Sequence, residues 1–403
     1  MSRAGGRPSR RSIVAGTILG VVAAIGAAPL RRTVGMALSA RTERRLNGVA
    51  ARGPYAISPA ARDLHERLTI VDLHADSLLW GRDLLQRSDR GHLDLPRLID
   101  GNVALQVFAM PTKVPRHLNI ERNDDRTDDI RLVALAQGWP RATWRSLLAR
   151  AEYQAGRLEA MAADSGGRLV PVRDRADLDA LLARRAAGEP IVGALLAVEG
   201  AHALDDDPAN VDRLVAAGYR MVGLAHFFDN AFGGSAHGTA KGGLTAAGRD
   251  LVERLEERSI LVDVAHASAA TIDDVLAIAT RPVLASHTGV RGTADNARNL
   301  SDDQLRAIAA TGGIVGIGFW PTASGGDDAL SIARAIVHAV AVIGAEHVGL
   351  GSDFDGGVPT PFDASGVGLL TQALLTEGLD EATIAAVMGG STIELLRRCL
   401  PAS

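Results

Sequence analysis

The stretch TIVDLHADS (69–77) ends an apolar run with a histidine and an aspartate two positions apart. The run 69–73 is rich in β-branched and apolar residues, which favours a buried strand. Residues i and i+2 of a strand point to the same side, so His74 and Asp76 would face one space. Such a pair could be a metal site, a hydrogen-bonded structural pair or a coincidence, and the spacing alone fits all three.

Similar apolar runs recur along the rest of the chain. The eight candidate strands lie at 69–73, 103–109, 190–198, 219–225, 259–265, 282–286, 312–319 and 347–352. Helical patterns separate several of them, at 244–259, 301–313 and 328–345. The second of these opens with Ser301 and Gln304, the spacing of a capping box.

Apolar strands that alternate with helices predict a parallel sheet covered on both faces. Eight such units predict a (β/α)8 TIM barrel. The alternative, a doubly wound open sheet, would carry a glycine-rich phosphate turn after an early strand, and the sequence has none.

The chain divides into three predicted parts. Residues 1–30 join four arginines to about eighteen uncharged residues, which is typical of a signal peptide or a signal anchor. Residues 31–62 lack a clear period and are predicted to be a linker. Residues 63–403 form the barrel domain, with 111–189 as a helical or loop excursion over the barrel mouth.

The N-terminal part predicts an exported protein. The sequence SRRSIV (9–14) resembles the twin-arginine export signal, and a general secretory signal is the alternative. We therefore expect a periplasmic or otherwise extracytoplasmic enzyme, or one anchored to the membrane through this segment alone.

The composition favours a globular enzyme and argues against a protein that binds nucleic acid. Of 403 residues, 47% are hydrophobic and 22% charged, and the net charge is −4, which suits a globular enzyme. The lack of a basic stripe argues against a nucleic-acid partner. Cys399 is the single cysteine, so an intrachain disulfide is impossible.

Acidic residues and histidines follow most of the predicted strands. In a TIM barrel the strands point their carboxyl ends at the active site, so residues there meet at one rim. The residues at this rim are His74 and Asp76, Glu199, His226, His266, His287 and Asp353.

Buried carboxylates and imidazoles in one cluster are costly unless they are paired or bind a metal. The joint pattern therefore predicts a divalent metal centre. Nitrogen and oxygen donors together suit zinc or a related first-row ion. The donors exceed what one catalytic zinc requires, so two Zn²⁺ ions bridged by Glu199 use them economically.

The ordered motifs VDLHADS, AVEGAH, LAHFFDNAF, LVDVAHAS, ASHTGVRG, NARNLSDDQL and GLGSDFDGG resemble the membrane dipeptidase (renal dipeptidase) family, peptidase family M19. The resemblance covers roughly residues 65–400. It implies a (β/α)8 TIM barrel of the metal-dependent hydrolase type, with two zinc ions, that hydrolyses dipeptides through a hydroxide shared by the two metals. It also suggests a homodimer.

The same resemblance implies roles for individual residues. His74, Asp76 and Glu199 would hold one metal. Glu199, His266 and His287 would hold the other. The remaining roles fall outside the metal ligands: His226 would polarise the scissile carbonyl, Arg298 would bind the substrate carboxylate, and Asp353 would relay the proton.

Two points of the assignment depend on position in the chain. Asp353 is preferred to Asp355 as the proton relay because it comes first after the strand. Histidines without a strand-end position are assigned surface or structural roles: His65, His92, His117, His202, His237, His338 and His347.

Two other functions compete with a dipeptidase. A binuclear amidohydrolase could act on a non-peptide amide, lactam or lactone with the same metal centre, and Arg298 would then be dispensable. A barrel that has lost catalysis could serve as a binding protein, but such a barrel usually lacks a ligand and none is missing here.

Overall fold

A computed structural model describes residues 28–402 of the chain. Its strands are β1 Ile70–Ala75, β2 Val103–Pro111, β3 Leu169–Pro171, β4 Val192–Glu199, β5 Tyr219–Gly223, β6 Leu261–Asp263, β7 Val283–Thr288, β8 Val315–Ile317 and β9 Val348–Leu350. Each predicted strand overlaps one of these, and β3 is additional.

The helices connect and cover the strands. They are α1 Ala28–Leu46, α2 Pro59–Arg67, α3 Leu95–Asp100, α4 Asp129–Gln137, α5 Leu147–Asp164, α6 Arg175–Ala186, α7 Val211–Ala216, α8 Ala246–Glu257, α9 Ala269–Ile278, α10 Asp302–Ala310, α11 Pro321–Ser324, α12 Ala329–Ile343, α13 Gly368–Thr376, α14 Glu381–Ala385 and α15 Ser391–Cys399. The capping box predicted at the start of α10 is present. Within residues 28–402, no helix combines the length and the apolar character that a membrane span requires.

The strands form a closed parallel barrel. Strand β1 lies between β2 and β9, and the sheet runs from β9 through β8, β7, β6 and β5 to β4. Strand β4 pairs with β2, from Leu105 opposite Gly193 to Pro111 opposite Glu199, which closes the ring of eight. Strand β3 pairs beside the beginning of β4. The predicted TIM barrel is confirmed.

Strand alternation sets which side chains share a face. In β4, Leu195 and Ala197 alternate with their neighbours and precede Glu199 on the same side. Both belong to a buried apolar cluster that also contains Leu105 and Met221. Glu199 therefore continues an apolar row and ends it with a carboxylate at the carboxyl end of the barrel.

The first half of residues 31–62 is a helix and not the linker that the sequence predicts. Helix α1 covers the first half of this range, and its residues Ser39 and Glu43 are buried against the barrel domain. Glu43 accepts hydrogen bonds from Arg82 and Arg90, and Gln137 donates to Ser39 at 3.0 Å. The helix docks through buried polar contacts, which produce no apolar period in the sequence.

Only part of the segment 111–189, predicted to lie over the barrel mouth, is found there. Residues 111–133 reach the carboxyl ends of the strands and line the site described below. Helix α5 packs against the side of the barrel, where the Tyr219 hydroxyl donates to the Ala151 carbonyl at 2.8 Å. The segment predicted as a signal peptide or anchor lies almost entirely outside the described residues.

Candidate metal centre

The predicted rim residues converge on the carboxylate of Glu199. His266 Nε2 lies 3.0 Å, His287 Nε2 3.3 Å and His74 Nε2 3.6 Å from Glu199 Oε1. His226 Nε2 lies 3.1 Å from Glu199 Oε2. Four imidazoles thus aim their Nε2 atoms at one buried carboxylate, an arrangement that suits shared metal ligation.

A second group of donors adjoins the first. His74 Nε2 lies 3.6 Å from Asp76 Oδ1, and neither atom has a hydrogen-bond partner. Asp353 completes this group with His74 and Asp76. Buried polar atoms normally find partners, so unpartnered donors that face each other fit a metal ion.

Three triads of donors in the described part of the chain could each hold an ion. They are His74, Glu199 and His287; Glu199, His226 and His266; and His74, Asp76 and Asp353. Two of the triads share Glu199, the residue predicted to bridge. The exact division of ligands between two ions remains a prediction.

The Ser286 hydroxyl orients two of the imidazoles. Its Oγ lies 3.2 Å from His74 Nδ1 and 2.9 Å from His287 Nδ1. Because Nδ1 of each ring contacts this serine, Nε2 faces the cluster. Ser286 is fixed in turn, since its backbone N–H donates to Asp263 at 2.9 Å. Ser286 precedes the predicted ligand His287 but carries no pattern that marks a role of its own, so it is not among the predicted site residues.

A buried contact ties strand β1 to the segment after β9. Asp72 accepts hydrogen bonds from the backbone N–H of Ser352 at 2.7 Å and from its hydroxyl at 2.6 Å. Asp72 precedes His74 and Ser352 precedes Asp353, so the contact sets the position of the two groups relative to each other. The sequence pattern predicts Asp72 only as part of an apolar strand.

The shifted pKa values in the cluster indicate that its carboxylates need a positive charge beside them. Burial, reinforced by nearby carboxylates, raises the pKa of Glu199 well above its usual value and that of Asp353 to about 7. Burial disfavours a charge on His74, but Glu199 and Asp76 outweigh it and raise the pKa of this ring to about 10. A proton bound to His74 thus offsets the negative charge of the carboxylates, which a metal ion would otherwise offset.

The other three histidines are suited to ligation. Burial lowers the pKa of His226, His266 and His287 well below the ordinary value. Neutral imidazoles keep a lone pair for a metal. The donor set, the unpartnered atoms and the neutral rings therefore fit a divalent first-row metal such as zinc.

Asp353 and Asp355 occupy different surroundings. Asp353 lines the cleft above the cluster, at a φ of 59° in the left-handed region. Asp355 is fully buried, accepts a hydrogen bond from Ser77 at 2.5 Å and pairs with Arg82. Although burial opposes it, Arg82 lowers the pKa of Asp355. Asp355 therefore holds the surrounding chain together, whereas Asp353 faces the metal donors.

Arg298 lies at the same cleft. Its guanidinium donates to the His287 carbonyl at 2.6 Å and lies 5.5 Å from the centre of the Trp320 ring. Burial lowers its pKa to about 10, so the side chain remains charged at neutral pH. The cleft therefore presents one cation beside the cluster of carboxylates.

The cleft has a volume of about 500 Å³, which lies within the range of small-molecule sites. His237 lines it, with 1% of its surface exposed, although the sequence analysis assigned it a surface or structural role. Its Nδ1 lies 2.6 Å from the Ile120 carbonyl, and its ring lies 5.2 Å from that of His266. The sequence placed His237 in a loop, and only the folding of that loop over the barrel mouth brings it here.

Residues 59–399 match the profile of the membrane dipeptidase family, peptidase family M19. The chain belongs to the membrane dipeptidase family. The family consists of metallo-dipeptidases, and its profile spans the whole barrel. The resemblance drawn from the sequence motifs is confirmed.

Named relatives agree with membership of the dipeptidase family. Dipeptidase verJ of Clonostachys rogersoniana is 32% identical over 212 residues, which are 51% of this chain and 55% of that protein. The chain thus matches about half the length of this curated relative.

Solved dipeptidase structures share the fold. The dipeptidase AC, described as an M19 metallopeptidase, superposes with a TM-score of 0.69 at 26% identity and covers 83% of this chain and 99% of its own. A metallopeptidase from Rhodobacter sphaeroides, solved with a phosphinate mimic of the dipeptide L-Ala-D-Ala, gives 0.68 at 26% identity and covers 82% and 99%.

Proposed function

We propose that this chain is a zinc-dependent dipeptidase that hydrolyses the peptide bond of small dipeptides. The observation that carries the proposal is the convergence of His74, His226, His266 and His287 on Glu199, beside a buried arginine in a cleft. Family membership and the dipeptide mimic bound by the Rhodobacter sphaeroides relative support the choice of substrate.

Five residues would hold two zinc ions. We assign His74, Asp76 and Glu199 to one ion and Glu199, His266 and His287 to the other. When bound, the zinc ions supply the Lewis acidity that activates a water and polarises a carbonyl. Ser286 would keep two of the imidazoles oriented for this task.

The remaining site residues would act on the substrate. Arg298 would bind the terminal carboxylate, because a guanidinium matches a carboxylate with two parallel hydrogen bonds. His226 would donate to the carbonyl oxygen as negative charge develops on it. This requires its Nε2, which faces Glu199, to carry the proton in the complex.

Asp353 would move the proton. It would accept a proton from the attacking water and return it to the amine nitrogen as the C–N bond breaks. Burial supports this role because a carboxyl with a pKa near 7 can both take and give a proton at neutral pH. The products would be two free amino acids.

A dipeptide panel tests the proposal. The purified full chain, loaded with zinc, should release amino acids from L,L or L,D dipeptides, and a chelator should stop the release. Dipeptides with an amidated carboxyl end should react more slowly because they offer Arg298 no charge. Lack of turnover on every dipeptide would refute the dipeptidase. Equal turnover of amidated and free dipeptides would favour the amidohydrolase that acts on non-peptide amides, lactams or lactones.

We also propose that the enzyme acts outside the cytoplasm, exported or anchored by residues 1–30, and that it forms a homodimer. The four arginines and the uncharged run that follows them support export. Replacing both Arg10 and Arg11 with lysine should retain the protein in the cytoplasm if the signal is of the twin-arginine type. Undiminished export would indicate a general secretory signal. Light scattering of the purified protein tests the dimer.

A further inference from the structure

A second, apolar cavity opens beside the metal centre. We call it the apolar annex and define it by its apolar wall residues, Leu46, Leu79, Trp80, Val114, Ile130 and Val133. Its volume is about 240 Å³, several times the ~30 Å³ that one water occupies in the liquid. The annex therefore has room for a large side chain.

The annex adjoins the cleft. Asp76, His226 and Phe227 line both cavities. Arg298 lies instead against His287, within the cleft. A dipeptide whose carboxylate binds Arg298 and whose carbonyl lies at His226 would thus direct its amino-terminal residue toward Asp76 and the annex.

The walls of the annex are held in place by polar contacts behind them. The Trp80 indole donates to the Asp355 carbonyl at 2.7 Å, and Gln137 donates to the Leu79 carbonyl at 3.0 Å. Among the charged groups at the annex, Arg116 pairs with Asp129 at 3.1 Å. A preformed apolar cavity of this kind binds apolar groups without the cost of ordering its walls.

We propose that the annex is the specificity pocket for the amino-terminal residue of the substrate and that it selects large apolar side chains. This inference rests on the proposed dipeptidase function. Helix α1 forms part of this pocket, because Leu46 at the end of the helix lines its wall. The preferred substrates are therefore dipeptides that begin with phenylalanine, leucine or a residue of similar size and polarity.

A substrate pair with matched variants tests the annex. The zinc-loaded full chain should show a kcat/KM at least about tenfold higher for phenylalanyl-alanine than for glycyl-alanine. Val133→Trp should fill the annex and lower kcat/KM for phenylalanyl-alanine by about tenfold or more, with glycyl-alanine changed less than about twofold. Leu135→Trp, on the exposed face of the same helix, is the control and should change neither substrate.

A binding measurement separates specificity from folding and catalysis. Calorimetry with phosphinate mimics of the two dipeptides should show a similar loss of affinity for the phenylalanyl mimic in Val133→Trp and in Val114→Trp, which places a second indole at the annex wall from the segment before helix α4. The annex proposal would be overturned if the wild-type protein bound both mimics with equal affinity, or if the variants lost the same affinity for both mimics. The proposed dipeptidase function would not be affected by either result. If no dipeptide is cleaved, the dipeptidase and the annex proposal both fall.

Discussion

Asp353 and Asp355 show how two residues alike in type and close in sequence come to differ in chemistry. The first faces the donors of the metal centre, and the second is enclosed by Arg82, Ser77 and the backbone N–H of His92. An acid that is fully paired cannot exchange protons readily, whereas one beside an open cleft can. The difference supports the catalytic role proposed for Asp353 and a structural role for Asp355.

Exchanging each acid for its amide should reveal that difference. Asp353→Asn should lower kcat by on the order of 10²–10⁴ because it removes the proton carrier, while zinc content stays close to that of the wild type. Zinc should be measured by mass spectrometry. Asp355→Asn is the matched control, and it should mainly lower the free energy of unfolding. Equal loss of zinc and activity in Asp353→Asn would identify Asp353 as a ligand.

Arg298 should act on the charge of the substrate. Arg298→Ala should lower kcat/KM on free dipeptides by on the order of 10²-fold, because a charge-assisted pair is worth roughly 1.5–3 kcal/mol. Amidated dipeptides should be affected far less. Arg298→Lys keeps the charge but not the fork of donors and should recover only part of the activity. An equal loss on free and amidated substrates would show that Arg298 supports the site through its contact with His287 instead.

Ser286 should affect metal binding without being a ligand. Ser286→Ala removes the group that contacts Nδ1 of two imidazoles, so zinc affinity should fall by about 10–100-fold. Competition with a chromogenic chelator measures the change. Ser165→Ala is the control, because Ser165 is also buried but follows helix α5 and precedes strand β3, away from the carboxyl ends of the strands. Unchanged affinity in Ser286→Ala would show that packing alone orients the rings.

At the level of elements, helix α1 is part of the barrel domain. Its Glu43 lies between Arg82 and Arg90, and Arg82 also pairs with Asp355. Burial raises the pKa of Glu43 even though the two arginines oppose the shift. A buried network of this kind keeps its charges only while every partner is present.

Breaking that network should be costly. Arg82→Met leaves Glu43 and Asp355 buried with fewer partners and should lower the free energy of unfolding by about 3–5 kcal/mol, measured by urea denaturation. Arg44→Met removes an exposed pair between the same helix and Asp89 and should cost less than about 1 kcal/mol. Similar effects of the two variants would mean that α1 contributes little to the folded barrel.

At the level of the whole molecule, the barrel brings carboxylates from distant strands into one buried space. Without a cation, burial raises the pKa of Asp76, Glu199 and Asp353, and the charges of Asp76 and Asp353 raise that of Glu199 further. Ionising these buried carboxylates therefore opposes folding. A metal that binds only the folded protein should therefore stabilise the entire domain.

Metal removal should lower the melting temperature as well as the activity. At zinc concentrations about 1,000 times the Kd, binding contributes roughly 4 kcal/mol to folding, so chelation should lower Tm by several degrees. Differential scanning calorimetry measures the shift. Zinc should restore both properties, whereas magnesium, which prefers oxygen ligands in octahedral geometry, should not. Full stability and activity in the presence of chelator would contradict a metal-dependent site.

The regular part of this structure was readable from local patterns. The β-branched runs predicted the eight barrel strands, and the parallel barrel then predicted that His74, Glu199 and His287 would meet at one rim. This works because strand periodicity and the direction of parallel strands are properties of short segments repeated in order. The helix at the N-terminus was missed because polar docking leaves no such period.

The sequence by itself determined the barrel, its family and the candidate metal donors at one rim, because each depends on residue type at a fixed place along a strand. The tertiary structure decided what depends on contacts between distant segments. Asn47 lies 3.4 Å from Asp355, His237 joins the cleft through a loop, and Leu46 and Val133 line the same apolar annex. Such neighbours are chosen by the packing of the whole chain, and residue spacing does not encode them.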